Sequence, residues 1–541
     1  MPGGQSRHTR RTVHRAGALV AGAALAGGAL PGGTGLAQGT LPEAITSLMG
    51  KPRYAHATWS LLVADAATGE TLYALRPDEL AFTGSVRKLF SVGLALQRLG
   101  PGHRFTTPVF RRGDVDAQGV LRGDLVLVAA GDLTLGGRLN ADGTVAVTDF
   151  DHNDANNLGT ATLTPQDPLH GLETLARQVA ASGIRTVAGE VVVDDRLFEP
   201  FRVPNQHLLI TPVMVNENMV DVTVTPTWPG RDATVDWRPQ TGAFAVTSTV
   251  RTAAPGTADT VRLSGDGLLE CAGSAGCAGA LEGEIPLGYR APLSGSPLLV
   301  QTFRVEDPAA FARTAFVEAL GRAGVAVTAP PVAPNPDRLL PAPGAYAPET
   351  RVAQFESPPF AEHARLILKV SLNLGANLSL MLFGLAAGQR TIAEALAAER
   401  LALTEGMGIA ASAFHFPTNG SGSPDSQATP RATVQLLTRM AQSAVAEVYE
   451  SCLPVLGADG SLAGTGLELP ARGHVFAKTG TTITGGVLKA QNLAGYIQAR
   501  SGRRLAFALF VNEAGRIERI EDVAAVLEDE AAITDAIREA L

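Results

Sequence analysis

The chain has 541 residues, 45% of them hydrophobic and 18% charged, with 52 acidic against 44 basic side chains and a net charge of −8. That length exceeds one core and implies about three domains at roughly 150 residues each. The acidic balance, without basic blocks, argues against a nucleic-acid partner, and no run of about 18 apolar residues follows the N-terminal segment, which argues against a membrane-spanning helix in the body of the chain.

The first predicted element is an export signal over residues 1–37. Arg7, Arg10, Arg11 and Arg15 precede an apolar run over 16–30, and Gly35-Leu36-Ala37 supplies a small-residue cleavage site. The mature chain is expected to begin near Gln38 and to work outside the cytoplasm without a stable transmembrane anchor. Thr9-Arg10-Arg11 leaves both the general and the twin-arginine export routes open. Residues 59–64, the turn Ala66-Ala67-Thr68-Gly69-Glu70 and residues 71–75 predict a β-hairpin. Ser85 then starts a helical run through Leu89, Val92, Leu94 and Leu96, so it is expected at a helix N-terminus.

From about 109 to 350 the texture changes to short Val/Thr-rich strands with Gly, Pro and Asp turns. Helical stretches interrupt it at 169–182 and 308–323, and a Pro-rich segment at 329–348 closes it. Helical patterns dominate 360–405 and 430–452. Strands follow at 475–477, 491–498 and 504–511, and an amphipathic helix at 518–541 ends the chain. Cys271 and Cys277 bracket a small loop and predict a local disulfide rather than a metal pair in an oxidising compartment. Cys452 is expected to be a small buried hydrophobe.

Arginine is the default cation here: only Lys51, Lys88, Lys369, Lys478 and Lys489 are lysines. A guanidinium cannot give up its proton in a protein and a desolvated amine can, so a lysine kept beside a serine suggests a base. Lys88 stands three residues after Ser85, and residues three apart on a helix share a face, which brings hydroxyl and amine within hydrogen-bond reach. Ser371-Leu372-Asn373 offers a second hydroxyl for proton relay and an amide to hold substrate or Lys88. Lys478-Thr479-Gly480-Thr481 offers a fixed cation, two hydroxyls, and a glycine that lets substrate approach the strand backbone.

SxxK, SxN and KTG in this order are the signature of penicillin-binding proteins and class A β-lactamases. Within that class the chain resembles the class C low-molecular-mass penicillin-binding proteins, the D-alanyl-D-alanine carboxypeptidase/endopeptidase family. The likeness extends over 99–105, Gly123-Asp124 to Gly131-Asp132, Gly189 to Asp195, Val215-Asn216-Glu217-Asn218, Ser357-Pro358-Pro359 and Asn419-Gly420-Ser421-Gly422. The long gap between Ser85 and Ser371 matches the two domains that this family inserts there.

The resemblance implies a mixed α/β (α+β) fold: a penicillin-recognition, β-lactamase/transpeptidase-like domain over 38–108 and 350–541, with an antiparallel sheet flanked by helices. It carries a second domain over 109–224 and 289–349 and a nested β-rich third over 225–288. It also implies the roles. Ser85 attacks the carbonyl between two D-amino acids, Lys88 is the acylation base, and Ser371 with Asn373 relays protons and positions substrate. Lys478, Thr479, Gly480 and Thr481 bind substrate, with the backbone N–H groups of Ser85 and Thr481 as oxyanion hole. Peptidoglycan stem peptides are the implied partners and β-lactams the inhibitors, with no cofactor and no metal. A β-lactamase and a non-catalytic cell-wall-binding relative are the rival readings.

Two departures from the family pattern are Leu372 in the middle of SxN and Asn377 where relatives often have an acid. Pro204-Asn205-Gln206-His207 lacks the acid with which some relatives hold a diaminopimelate amine. Asp149, Asp151 and Asn153 begin like a calcium loop, but Asp154 replaces its glycine, so a solvated polar loop is expected. Asp194-Asp195, at the end of a Val-rich strand, is expected to cap a turn. No GxSxG, HExxH or P-loop occurs.

Overall fold

Strand Thr58–Asp65 is buried along almost its whole length, because the sheet it belongs to is covered on both faces. In this computed structural model, which describes residues 40–159, 161–269 and 277–541, the hairpin Thr58–Asp65 and Thr71–Leu75 joins three C-terminal strands. The order is Thr71–Leu75, Thr58–Asp65, Arg504–Asn512, Val487–Gln498, Val475–Thr484, all antiparallel. Successive side chains point to opposite faces. Leu61, Val63, Leu493, Phe507 and Leu509 pack on one side with Val526, Ile533 and Ile537 of the helix Ile520–Ala540. Leu62, Ala64, Ala494, Ala508 and Phe510 face the other side, against helices Lys88–Leu99 and Pro430–Ala441.

The region between the two halves of this sheet is β-rich. One sheet runs Ala326–Val327, Thr186–Val187, Val120–Val128, Thr106–Val115, Arg351–Glu356, with Val191–Asp194 pairing parallel to Val120–Val128. Helices His170–Ala181 and Pro308–Arg322 supply its apolar cover. A second sheet contains Thr234–Arg238, Met219–Thr225, Leu299–Val305 and Leu268–Leu269, and a small third one contains Ala245–Ser248, Ala278–Glu282 and Arg262–Leu263. Ala243, Phe244, Val250, Leu281 and Ile285 belong to the same hydrophobic cluster as Val109, Phe311 and Phe355, so residues 225–288 share their core with the rest of this region.

The helical pattern over 360–405 breaks into Phe360–Lys369, Asn373–Leu385 and Ile392–Leu401. The first break falls at Ser371, which holds the left-handed φ of 61° that a non-glycine residue adopts only under constraint. Leu372 is buried at 1% exposure, which accounts for an apolar residue in the middle of SxN. Asp194 accepts from Arg196 N at 3.1 Å and ion-pairs with the same side chain, the turn-capping role expected of it. Cys452 is free and buried. The export signal over 1–37 and Cys271 lie outside the described residues. Among the described residues no helix is long and apolar enough to cross a membrane.

Candidate active site

Ser85 lies in a 3₁₀ turn, Gly84–Arg87, that runs straight into the helix Lys88–Leu99. The tight turn and the three-residue spacing bring Lys88 Nζ to 2.6 Å from Ser85 Oγ. Lys88 also donates to Asn373 Oδ1 at 2.7 Å and to the Ser421 carbonyl at 3.2 Å. The lysine is fully buried. Burial first, and the charge of Lys478 second, hold its pKa well below the ordinary lysine range, with Asp154 opposing them in part. A neutral amine that turns about its Cε–Nζ bond presents a lone pair to the serine proton, as a general base requires.

Three contacts fix this turn. Arg87, buried between the serine and the lysine, donates to Glu399 Oε1 at 2.7 Å, and its guanidinium sits 3.9 Å over the Phe416 ring. Gly480 presses on the turn so closely that a Cβ there would lie 2.2 Å from the Thr83 carbonyl oxygen. Gly422, at φ 126°, does the same from the other side, where a Cβ would lie 2.0 Å from the Gly84 oxygen. The loop of Gly422 is held by Asn419, whose side-chain oxygen accepts from the backbone N–H of Ser421 at 2.9 Å and of Gly422 at 2.6 Å. Sequence reasoning quoted Asn419 to Gly422 only as part of a resemblance; their role as the clamp on the nucleophile turn is a tertiary feature.

Asn373 is the first residue of its helix. Asn377, one turn on, donates to the Asn373 carbonyl at 2.9 Å and accepts from Gly420 N at 2.8 Å, so it braces two catalytic loops without carrying charge. Ser371 sits on the turn just before, and its side chain makes no hydrogen bond to the other described residues. Lys369 is not part of the site: it pairs with Asp459 at 2.6 Å and donates to the Leu453 carbonyl at 2.6 Å.

Lys478, Thr479, Gly480 and Thr481 lie on Val475–Thr484, the edge strand of the five-stranded sheet. An edge strand keeps backbone donors and acceptors free for an extended peptide. Lys478 is fully buried and donates to the Thr479 carbonyl at 3.0 Å. Burial lowers its pKa to about 7, with Asp154 pulling the other way. The Thr479 hydroxyl meets Ser461 Oγ at 2.9 Å. The Thr481 hydroxyl donates to Gln491 Oε1 at 2.7 Å.

Residues between the two halves of the sheet also reach this site, in a role their sequence context did not disclose. Gln206 Oε1 accepts from Asn373 Nδ2 at 3.3 Å, and Asn205 Nδ2 donates to Ser421 Oγ at 3.2 Å. The charge of Asp154 favours the protonated form of both Lys88 and Lys478. The loop that carries it corrects an expectation. Instead of being solvated, Asp151 and His152 are each 3% exposed. His152 Nδ1 meets Asp221 at 2.6 Å and Nε2 meets Glu217 at 2.6 Å, while Arg138 forks between Asp151 at 2.7 Å and Glu217 at 2.6 Å. Burial alone would lower the His152 pKa, but the carboxylates of Asp221, Glu217 and Asp151 raise it to about 10. Asp151, His152 and Glu217 are close enough together to hold a metal ion, yet a cation there would have to displace Arg138 from two carboxylates. The cluster is a closed set of ion pairs under the Asp154 loop. No local sequence pattern could have disclosed it, because its partners come from positions 138, 151, 152, 217 and 221.

A curated D-alanyl-D-alanine carboxypeptidase from Actinomadura sp. (strain R39) is 28% identical over 498 residues, which cover 87% of this chain and 81% of that protein. The crystal structure of penicillin binding protein 4 from Haemophilus influenzae superposes with a TM-score of 0.66 at 18% identity, over 92% of this chain and 99% of that one. The same protein complexed with a β-lactam gives a TM-score of 0.65 over the same shares of both chains, again at 18% identity. These two structures establish the fold, an antiparallel sheet flanked by helices with a penicillin-recognition domain. The model of the D-Ala-D-Ala carboxypeptidase 3 (S13) family matches residues 41–531, and to that family the chain belongs.

Proposed function

We propose that this serine-type D-alanyl-D-alanine carboxypeptidase works through an acyl-enzyme on Ser85. Neutral Lys88 takes the Ser85 proton as Oγ attacks the carbonyl carbon of the penultimate D-alanine. The tetrahedral oxyanion rests on the backbone N–H groups of Ser85 and Thr481. Collapse breaks the peptide bond, the proton returns to the leaving amine, and terminal D-alanine departs; water then cleaves the ester. Asn373 holds Lys88 and the substrate amide, and Ser371 relays protons at the mouth of the site. Lys478, with Thr479 and Thr481, binds the terminal carboxylate, and Gly480 lets the substrate backbone come close.

The observation that carries this reading is the 2.6 Å contact between Nζ of the fully buried Lys88 and Oγ of the half-buried Ser85. Cross-linked stem peptides are substrates for endopeptidase cleavage by the same chemistry, and both substrates place the protein outside the cytoplasm, in keeping with the signal expected at 1–37. The division into a catalytic domain of 38–108 and 350–541 around an inserted 109–349 is supported by one hydrophobic cluster drawn wholly from outside 109–349 and a second drawn almost wholly from within it, while a third joins the two where Leu133, Phe198, Ile210 and Met214 share a core with the helices Lys88–Leu99 and Asn373–Leu385.

A β-lactam tests the mechanism. The opened ring cannot diffuse away as D-alanine does, and it blocks the approach of water, so an adduct accumulates. Intact-mass analysis after incubation with a penicillin is expected to show one added drug mass, mapped to the peptide containing Ser85 and missing from Ser85→Ala. Rapid turnover without adduct would identify a β-lactamase, and inertness to both peptide and penicillin a non-catalytic relative.

A further inference from the structure

Behind the Lys478 strand a chain of polar side chains leads away from the cleft. The Thr481 hydroxyl donates to Gln491 Oε1 at 2.7 Å, and Gln491 Nε2 donates to Glu530 Oε2 at 3.4 Å. Gln491 is 1% exposed and Glu530 fully buried, and the second carboxyl oxygen, Oε1, has no hydrogen-bond partner among the described residues. Glu530 comes from the C-terminal helix Ile520–Ala540, which covers the sheet mainly with apolar side chains. An acid buried there costs stability unless it is hydrogen-bonded and neutral or paired.

We propose that Glu530 is a positioning residue for substrate binding: through Gln491 it sets whether the Thr481 hydroxyl hydrogen points back into the protein or forward to the terminal carboxylate of the substrate. The argument is one of donors and acceptors. An ionised carboxylate only accepts, so it holds Gln491 with its nitrogen towards Glu530 and its oxygen towards Thr481, and that oxygen captures the hydroxyl hydrogen. A neutral carboxylic acid also donates. With Glu530 protonated, a half-turn of the Gln491 amide lets the acid donate to the amide oxygen and the amide nitrogen donate to Thr481 Oγ1. Thr481 then keeps its own hydrogen for the arriving anion.

The surroundings favour the neutral acid. Burial, then the neighbouring Asp529, hold the Glu530 carboxyl well above the ordinary carboxylate range, against the opposing hydrogen bond from Gln491. Asp529 is itself engaged by Lys51 at 2.5 Å and by the Tyr54 hydroxyl at 2.7 Å, so no cation is left to ionise Glu530.

This inference rests on Thr481 meeting the substrate carboxylate, and the test separates the two claims. KM and kcat are measured on the full-length enzyme with a D-alanyl-D-alanine peptide and with its C-terminal carboxamide, alongside thermal melts. Thr481→Val is expected to weaken the carboxylate substrate selectively; an equal effect on both substrates would remove Thr481 from that role and this inference with it. Glu530→Leu and Gln491→Leu are expected to raise KM for the carboxylate substrate roughly tenfold, the scale of one hydrogen bond to a charged group, with a smaller change for the carboxamide. Glu530→Gln, which donates and accepts like the neutral acid, is expected to restore KM to within about twofold on the same scale. If Thr481→Val is selective but Glu530→Leu leaves KM unchanged, or lowers both substrates equally together with the melting temperature while Glu530→Gln fails to rescue, Glu530 is structural only.

Discussion

Lys88 and Lys478 are two fully buried lysines; burial and then the charge of Lys478 lower the affinity of Lys88 for a proton, and Lys88 lies 2.6 Å from the hydroxyl of Ser85. No carboxylate forms an ion pair with either lysine among the described residues. The site thus keeps a lysine from being an ion, which makes it a base.

Lys88→Arg is therefore expected to abolish acylation while leaving the fold intact, because arginine keeps a charge and cannot accept the serine proton. Loss of a general base lowers the rate by roughly 100- to 10,000-fold. The check is adduct formation with a penicillin by intact mass, together with a thermal melt close to wild type.

The pH profile follows from the second lysine. Lys478, lowered by burial to about 7, is charged below that pH and neutral above it. On the proposed role of that charge in meeting the substrate carboxylate, kcat/KM for a free peptide is expected to fall as pH rises through about 7. Asp154 favours the charged lysine, so Asp154→Asn is expected to shift that limb to lower pH. Removing Lys478 has the opposite kind of effect on the base. With the like charge gone the Lys88 pKa rises, and the acid limb of the residual activity in Lys478→Ala moves to higher pH. Because the two lysines are coupled, each limb is a property of the pair.

Glu399→Ala is expected to lower folding stability by about 3–5 kcal/mol, since it leaves Arg87 charged and unpaired in the core. Urea denaturation measures the loss. The double variant Arg87→Met with Glu399→Leu, which removes both charges, is expected to recover most of it.

Gly422→Ala is expected to impair acylation and lower the melting temperature together. The new Cβ would lie 2.0 Å from the Gly84 carbonyl oxygen at a φ of 126°, so the loop must move off the Ser85 turn. Penicillin-labelling kinetics alongside a thermal melt check it.

The pairing of Ser85 with Lys88 and the edge-strand lysine were legible in the sequence because each belongs to a short motif whose spacing is its geometry. Three residues on a helix put Ser85 beside Lys88, and alternation along a strand put Lys478 and Gly480 against the turn that carries them. The hairpin and the C-terminal strands and helix were readable for the same reason, with bounds displaced by a few residues: the strand expected at 475–477 runs over Val475–Thr484, since its polar KTGT portion hides the period of a strand.

Sequence alone thus determined which residues form the candidate reaction centre, through local periodicity and the chemistry of rare lysines. Only the tertiary structure decided what surrounds it. Arg87 is paired with a glutamate 312 positions away. Gln206 and Asp154 come to the site from the inserted region. The Asp151 to His152 loop is a buried ion-pair cluster rather than a solvated turn, because its counter-charges lie at Arg138, Glu217 and Asp221. Burial and paired charge depend on which distant segments meet, and no period of 2.0 or 3.6 residues encodes that meeting.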